Sequence, residues 1–338
     1  MSATVTFNGV ETLIQFGWLA LGLVLLVKGA DWLVKGSADL ALKIGITPLV
    51  VGLTVVAFGT SAPELIASLK ANLLDPPQGG LALGNVIGSN ICNIGLVLGF
   101  TALLRPLPVD RQVIVRDMPI LLLASVVFLL FLRDGVIERW EGVVFAVGVV
   151  TYTLGSLFIA KKRGVVADTS GELDEEEIAA AQTAGPRQVA FSVLTLIVGL
   201  GLLVLGADLL VSSGLELART FGVPEAVIGL TMIALGTSLP ELATSIVAAR
   251  KGEIDIITGN AIGSCVFNLL AVVGITAAVA PIVAVDISQI DLAVMMAVTV
   301  GVLVLGIAGK RLDRWQGGLL LLVYLAYSGY LAAQSAGL

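Results

Sequence analysis

Two glutamates stand at the centres of long apolar runs. Glu64 and Glu241 end the same hexapeptide frame, GTSAPE at residues 59–64 and GTSLPE at residues 236–241. An ionised carboxylate in the middle of a bilayer costs at least about 2.5–3.5 kcal/mol unless it is compensated, and neither Glu has a Lys or Arg within one helical turn. An uncompensated acid that occurs twice in the same frame indicates a cation site or a proton relay rather than a salt bridge.

Other oxygen ligands accompany each glutamate. Thr60 and Ser61 precede Glu64 by four and three residues, so the three side chains share one helix face. Proline removes a helix N–H and clashes with the carbonyl four residues back, so each frame predicts a broken helix whose freed carbonyls line a cavity. A Pro kink with back-bonded hydroxyls is the alternative for a single copy. The predicted ligands of the two frames are Ala57, Thr60, Ser61 and Glu64, and Ala234, Thr237, Ser238 and Glu241.

A second polar stripe follows each frame. Its members recur at i, i+4 and i+8, which places them on one helix face. The two deeper members of each stripe are predicted ligands, because consecutive helices packed side by side would bring them opposite the carboxylates. The first member lies near the helix start, where capping or helix packing is predicted. The stripes are Asn85, Ser89 and Asn93 in the first half and Asn260, Ser264 and Asn268 in the second.

These groups share the chemistry of hard oxygen ligands. They can supply the roughly six to eight oxygens that Ca²⁺ takes, and two carboxylates balance one Ca²⁺ or two Na⁺. The chain has no His, which removes Ser-His and Cys-His nucleophile pairs. Its two cysteines, Cys92 and Cys265, are interpreted as small apolar fillers. The residues therefore predict exchange of cations in one shared site, without a prosthetic group.

The composition is that of a membrane protein. Of 338 residues, 57% are hydrophobic and 13% charged, and the mean hydropathy is +1.02, whereas soluble proteins carry roughly 25% charged residues. A soluble enzyme is excluded, and a net charge of −6 does not describe a nucleic-acid-binding surface. Apolar runs of about 20 residues predict ten membrane helices, at 12–33, 47–73, 81–104, 116–132, 137–160, 188–211, 224–249, 255–279, 289–308 and 315–334.

The chain contains an internal repeat. Residues 29–71 align without a gap on 206–248, with 21 of 43 positions identical, and residues 84–99 align on 259–274. Each half holds five helices, an odd number, so the halves enter the membrane from opposite sides as inverted repeats. The predicted fold is an all-α membrane protein with ten transmembrane helices, of which the second and seventh are broken. The predicted units are a first repeat at 1–160, an acidic linker at 161–187 and a second repeat at 188–338.

Basic residues predict the orientation. The ten spans place thirteen Lys and Arg residues in the loops of one side and four in those of the other, and the richer side is cytoplasmic. Both termini are then outside, and the linker is a cytoplasmic connector, with cation sensing as its alternative. Asp31, flanked by Lys28 and Lys35, is predicted to form a local ion pair. Asp31 and its repeat equivalent Asp208 are candidate gate or interface groups.

Two stretches of each half are GLTVVAFGTSAPEL with GSNICNIGLVLG, and GLTMIALGTSLPEL with GSCVFNLLAVVG. They resemble the repeats of the calcium:cation antiporter superfamily, and those of its bacterial sodium/calcium exchanger branch most of all. This branch is related to the potassium-dependent exchangers. The resemblance implies that Glu64 and Glu241 bind Ca²⁺ together with the carbonyls of Thr60 and Thr237. It assigns Na⁺ ligation to Ser61, Ser89, Asn93, Ser238 and Ser264 and to the carbonyls of Ala57 and Ala234.

The resemblance has two further implications. The paired first helices of the two halves would slide across the core, which would make the Gly-rich stretches near Gly29 and Gly206 interface residues. Asn268 departs from some relatives, which carry Asp there, so the number of Na⁺ ions and any K⁺ requirement stay open.

The predicted function is exchange of Ca²⁺ for Na⁺ by a multi-pass protein of the bacterial inner membrane. Ca²⁺/H⁺ exchange is the alternative within transport, because a buried carboxyl can carry a proton. An intramembrane enzyme or a receptor module is the alternative from another class, and it would need a nucleophile with a base or a soluble effector domain. The predicted partners are Ca²⁺, Na⁺ and membrane lipid, with K⁺ and H⁺ left open, no nucleic acid and no implied oligomer.

Overall fold

The computed structural model describes residues 9–163, 181, 183–221, 236–285 and 287–335. These residues are mostly helical, and π-helical segments at Gly52–Val56, Asn93–Leu98, Val113–Asp117 and Asn268–Val273 interrupt or precede the α-helices. The helices are α1 (Gly9–Ile44), α2 (Pro48–Val51), α3 (Ala57–Thr60), α4 (Ala62–Asn72), α5 (Gly79–Cys92), α6 (Gly99–Leu104), α7 (Met118–Phe131), α8 (Arg139–Arg163), α9 (Pro186–Thr220), α10 (Leu239–Lys251), α11 (Ile254–Phe267), α12 (Gly274–Val279), α13 (Gln289–Gly309) and α14 (Arg314–Ser335). The strands are β1 (Leu107–Pro108), β2 (Val136–Ile137), β3 (Ile282–Val283) and β4 (Arg311–Leu312).

Nine of the ten predicted membrane helices are present among the described residues as helical segments long and apolar enough to cross a membrane. The seventh, predicted at 224–249, is described only from residue 236 onward. α1 and α9 are 36 and 35 residues long and exceed the predicted spans 12–33 and 188–211. At about 1.5 Å per residue each extends roughly 50 Å, so both must tilt in a hydrocarbon layer of about 30 Å or project beyond it.

The second and seventh spans are broken at equivalent positions, as predicted. The second is interrupted at Ser61, where φ is −85° and ψ is 2°, and the seventh at Ser238, where φ is −90° and ψ is 3°. Pro63 and Pro240 lie in the first turn of the helix that resumes, a position where the missing N–H costs no hydrogen bond. Each break therefore falls three residues before a glutamate.

Short strands relate the two halves. β1 pairs antiparallel with β4, and β2 with β3. In the repeat alignment β1 is equivalent to β3 and β2 to β4. The β1–β4 pair is therefore the repeat equivalent of the β3–β2 pair. The flanking bonds are equivalent too, since Val109 N donates to Lys310 O over 3.0 Å and Ala284 N to Gly135 O over 2.8 Å. A pseudo-two-fold axis therefore relates the halves.

The spans that carry the polar stripes lie at the centre of the protein. The segments Gly79–Leu104 and Ile254–Val279 have 78% and 83% of their apolar windows buried, against 17–39% for the six spans outside the core. The second span, Pro48–Asn72, is 67% buried. The outer helices present their apolar residues outward, as expected of a surface that faces lipid.

α1 and α9 pack against each other over most of their length. Gly29 lies against the backbone of Leu203, and the equivalent Gly206 lies against the backbone of Leu26. A methyl group at either glycine would overlap the partner helix, which is the close approach that small residues permit in membranes. Gly29 and Gly206, predicted as interface residues, therefore lie where α1 and α9 meet.

Candidate cation site

Glu64 is fully buried at the start of α4. Ser89 on α5 donates to its Oε1 over 3.4 Å, and the hydroxyl of Thr237, from the other half, contacts the same carboxylate. Asn85 donates its Nδ2 to the backbone oxygen of Glu64 over 3.1 Å and to the Ser68 hydroxyl over 3.0 Å. Glu64 is therefore fixed both by the next helix and by the second half.

Glu241 occupies the equivalent place at the start of α10 and is also fully buried. Its Oε1 accepts a hydrogen bond from Ser61 over 3.5 Å. The hydroxyls of Thr60 and Ser264 contact the same carboxylate. Two of these three hydroxyls belong to the first half, so each half contributes donors to the glutamate of the other.

A frame of hydrogen bonds links the two broken spans to the stripes. Each threonine bonds an asparagine and a serine of the opposite half, and every bond has its repeat equivalent. The distances are Thr60 Oγ1 to Asn260 Oδ1 3.1 Å, Thr60 Oγ1 to Ser264 Oγ 3.3 Å, Thr237 Oγ1 to Asn85 Oδ1 3.2 Å and Thr237 Oγ1 to Ser89 Oγ 3.4 Å. Capping or helix packing is the role predicted for Asn85 and Asn260. The N-cap residues are Gln78 and Glu253, and the two asparagines connect packed helices, so the packing part of that prediction is confirmed.

Several buried oxygens of this cluster have no hydrogen-bond partner in the described part of the chain. They include Oε2 of Glu64 and Oε2 of Glu241, and no Lys or Arg of that part forms an ion pair with either carboxylate. Buried polar atoms are almost always partnered, so oxygens left over at one place fit a site for cations. The other unpartnered atoms among the predicted ligands are both amide atoms of Asn93, Oγ of Ser238 and Oδ1 of Asn268.

Asn90 is part of this cluster although the stripe pattern does not include it. Its Oδ1 accepts a hydrogen bond from Nδ2 of Asn268 over 3.1 Å, and its own Nδ2 donates to the carbonyl of Cys265 over 3.5 Å. Asn90 and Cys265 are equivalent in the repeat alignment, so they meet at the pseudo-two-fold axis. The bond from Asn268 uses its amide N–H and leaves its Oδ1 available to a ligand.

The two cysteines are buried and free. The thiol of Cys92 contacts Ser238 and Tyr324, and the thiol of Cys265 contacts Asn93. Both thiols therefore adjoin predicted ligands, which their apolar sequence neighbours did not indicate.

The two predicted alanine carbonyls are placed differently. The oxygen of Ala57 accepts the amide N–H of Ser61 over 3.0 Å and lies 3.4 Å from the Thr60 hydroxyl. It is therefore already an acceptor in this arrangement, not the freed carbonyl that the proline predicts. Ala234 lies outside the described residues.

Asp31 does not form the predicted local pair with Lys28 or Lys35. Its Oδ1 lies 2.7 Å from Nζ of Lys251, the last residue of α10. Nζ of Lys251 also donates to the backbone oxygen of Asp31 over 3.2 Å. Asp31 therefore pairs with a residue that is distant in sequence and not with its neighbours on α1. This bond joins α1 to the core.

Helical inverted repeats that meet at buried, broken helices form the architecture of secondary transporters. Two carboxylates, one from each half, with neutral hydroxyl and amide oxygens around them, narrow this class to transporters of cations.

Comparison with known proteins identifies the family. Residues 14–158 and 191–332 match the family described as sodium/calcium exchanger protein, and the chain belongs to it. Sodium/calcium exchanger MaX1 of Methanosarcina acetivorans is 32% identical over 342 residues, which cover 93% of this chain and 97% of that protein. Inner membrane protein YrbG of Escherichia coli is 42% identical over 264 residues, covering 78% and 79%. The solved structure of the exchanger NCX_Mj soaked with 2.5 mM Na⁺ and 10 mM Sr²⁺ has 31% identity and a TM-score of 0.79, covering 93% and 98%.

The predicted membership in the calcium:cation antiporter superfamily is therefore confirmed. The protein is a multi-pass membrane protein with the fold of a sodium/calcium exchanger. The family transports Ca²⁺ and Na⁺, and no prosthetic group is indicated for it.

Proposed function

We propose that this protein is a secondary active antiporter that exchanges Ca²⁺ for Na⁺ across the bacterial inner membrane. The observation that carries the proposal is the convergence of Glu64 and Glu241, each contacted by hydroxyls of the opposite half. A site built across the two halves changes whenever the halves move relative to each other. Binding and movement are therefore coupled in the way that transport requires.

The charge of the site supports exchange over one-way flow. The two buried carboxylates have no basic partner among the described residues; when both are ionised they carry −2, which one Ca²⁺ or two Na⁺ neutralise. Closing both faces over the empty site would leave both charges uncompensated at bilayer depth, at a cost of at least about 2.5–3.5 kcal/mol each. Access therefore changes only with cations bound, so one ion leaves only when another replaces it.

We assign the ligands by the type of oxygen that each residue offers. Glu64 and Glu241 bind Ca²⁺ together with the carbonyls of Thr60 and Thr237, and the flanking hydroxyl and amide oxygens bind Na⁺. Asn268, neutral in this chain, adds an amide oxygen and no third charge. The proposed Na⁺ ligands are Ser61, Ser89, Asn93, Ser238, Ser264 and Asn268, with the carbonyls of Ala57 and Ala234.

The pseudo-two-fold axis supports alternating access about a fixed central site. We assign residues 1–160 and 188–338 to the two inverted repeats and residues 161–187 to a cytoplasmic linker. The excess of basic residues on the linker side places both termini outside. The ends of α1, α6 and α10 then lie on the cytoplasmic face, and the end of α4 lies on the outer face.

Ca²⁺ flux in proteoliposomes with a controlled membrane potential tests the proposal. Vesicles loaded with Na⁺, with K⁺ or with acid are each diluted into Ca²⁺ medium without the loaded ion. We expect uptake in the Na⁺-loaded vesicles only, and a dependence of its rate on potential would show net charge movement. Equal uptake driven by acid in the absence of Na⁺ would replace the proposal by Ca²⁺/H⁺ exchange.

A further inference from the structure

The α1–α9 pair contacts the core unequally at its two ends. α1 packs along α10, whereas α9 makes no comparable packing with α4, although the repeat makes these two contacts equivalent. With the sides assigned above, the pair closes on the core at the cytoplasmic face and not at the outer face. In an inverted repeat, exchanging the conformations of the halves generates the alternative state. That state would have α9 packed on α4 and α1 released from α10.

An ion pair stands at the closed contact. Asp31 on α1 and Lys251 on α10 lie 2.7 Å apart, and their side chains are 41% and 32% exposed. Charged groups at membrane depth pair with one another or face water, so this bond favours the packed arrangement. On release, Asp31 keeps Lys28 and Lys35 at i−3 and i+4 of its own helix, which are spacings that allow pairing. Breaking the bond therefore leaves Asp31 with basic neighbours on its own helix.

The open contact carries the matching groups unpaired. Asp208 on α9 is equivalent to Asp31. Lys70 lies in the last turn of α4, the helix equivalent to α10, just as Lys251 ends α10. Both side chains are exposed, and neither forms an ion pair with any residue that the structure describes.

We propose that Asp31 and Lys251 are positioning residues of the transport cycle and that Asp208 and Lys70 are their counterparts in the other state. The Asp31–Lys251 bond holds the α1–α9 pair closed on the cytoplasmic face, and an Asp208–Lys70 bond holds it closed on the outer face. The proposal rests on the proposed antiport function and on the assigned sides. None of the four residues forms a hydrogen bond or an ion pair with the described residues of the candidate cation site.

The first test measures the state directly. Nitroxide labels at Ile44→Cys on α1 and Leu104→Cys on α6 occupy exposed positions, while the native cysteines are buried. Asp31→Asn and Lys251→Gln should each shift the population ratio of the two label distances by about five-fold toward the released state, the range of a single ion pair. Asp208→Asn and Lys70→Gln should shift it the opposite way. The charge swap Asp31→Lys with Lys251→Asp should restore the original ratio.

The second test is transport from each face. Fewer molecules open to the outer face raise the apparent KM for Ca²⁺ there and lower it at the cytoplasmic face. Asp31→Asn should move the two KM values in opposite directions, and Asp208→Asn should invert both shifts. A general loss of stability would not produce such a reciprocal change. Unchanged distances in Asp31→Asn, or shifts of the same sign in Asp31→Asn and Asp208→Asn, would overturn the proposal. Absence of Na⁺-driven flux in the unaltered protein would refute the antiport function while the distance measurement still decides on the ion pairs.

Discussion

The hydroxyl of Ser61 donates to Oε1 of Glu241 over 3.5 Å, although the two residues are 180 positions apart and belong to different halves. In the opposite direction, Thr237 of the second half contacts Glu64 of the first. Each glutamate is therefore contacted by hydroxyls of the opposite half. A substitution in one half is expected to change the ligands around the glutamate of the other.

Replacing one carboxylate tests the proposed Ca²⁺ site. Glu64→Gln and Glu241→Gln should each reduce Na⁺-driven Ca²⁺ flux by about a hundred-fold, since a divalent ion beside a single buried carboxylate keeps a net charge that costs about 2.5–3.5 kcal/mol at bilayer depth. The measurement is initial ⁴⁵Ca²⁺ uptake in proteoliposomes, with size-exclusion chromatography to confirm that the variants fold.

Glu216→Gln is the matched control for these variants. Glu216 lies on α9 with its side chain 53% exposed, 3.7 Å from Arg219. It is outside the candidate site, so this variant should retain the flux of the unaltered protein. Flux at that level in either Glu64→Gln or Glu241→Gln would remove the two-glutamate site.

Shortening one carboxylate separates charge from geometry. Glu64→Asp keeps the charge and withdraws the carboxylate by one methylene group, while Ca²⁺ requires its oxygens at about 2.3–2.6 Å. We expect the apparent KM for Ca²⁺ to rise about ten-fold and the melting temperature to stay within a few degrees of the unaltered protein. An unchanged KM would mean that charge alone, without direct ligation by Glu64, accounts for Ca²⁺ binding.

The two stripe asparagines should differ in their contribution to stability. Asn85 donates to the backbone of Glu64 and to Ser68 and accepts from Thr237, whereas Asn260 accepts from Thr60 and its Nδ2 has no partner in the described residues. Each buried polar group left unpaired costs about 1–3 kcal/mol.

Asn85→Leu should therefore lower the midpoint of thermal unfolding more than Asn260→Leu does. Because the two substitutions are identical and their sites are equivalent in the repeat, each serves as the control for the other. Equal losses would mean that the additional bonds of Asn85 contribute nothing to the folded state.

The sequence predicts the residues that are polar in an apolar background. Glu64 and Glu241 are recognisable because a carboxylate at bilayer depth is energetically costly and therefore indicates a function. Their equivalent positions in the two repeats strengthen this interpretation. The breaks at Ser61 and Ser238 follow from the prolines two residues further on. These features depend on local chemistry, which a sequence displays directly.

Contacts between residues that are far apart in the chain cannot be predicted from the sequence alone. The partner of Asp31 is 220 residues away in Lys251, whereas Lys28 and Lys35 are the neighbours that the sequence shows. The bonds of Asn90 across the pseudo-two-fold axis likewise require the packing of two helices to be known. α1 continues past its apolar run to Ile44 because a helix does not end where the lipid ends, so hydropathy marks the membrane and not the helix terminus.

The close approach of α1 and α9 gives a prediction with an internal control. Gly29→Ala would place a methyl group on the backbone of Leu203, while a methyl group at Gly201, on α9, would meet nothing within 4 Å. Overpacking of this kind costs about 1–3 kcal/mol, whereas Gly→Ala at an open helical position gains up to about 1 kcal/mol. Gly29→Ala should therefore lower the thermal unfolding midpoint and the Ca²⁺ flux, and Gly201→Ala should lower neither.

Gly206→Ala, the equivalent substitution on the other helix, should reproduce the loss, since it meets the backbone of Leu26. If Gly29→Ala and Gly201→Ala unfold at the same temperature, α1 and α9 do not approach each other closely at Gly29.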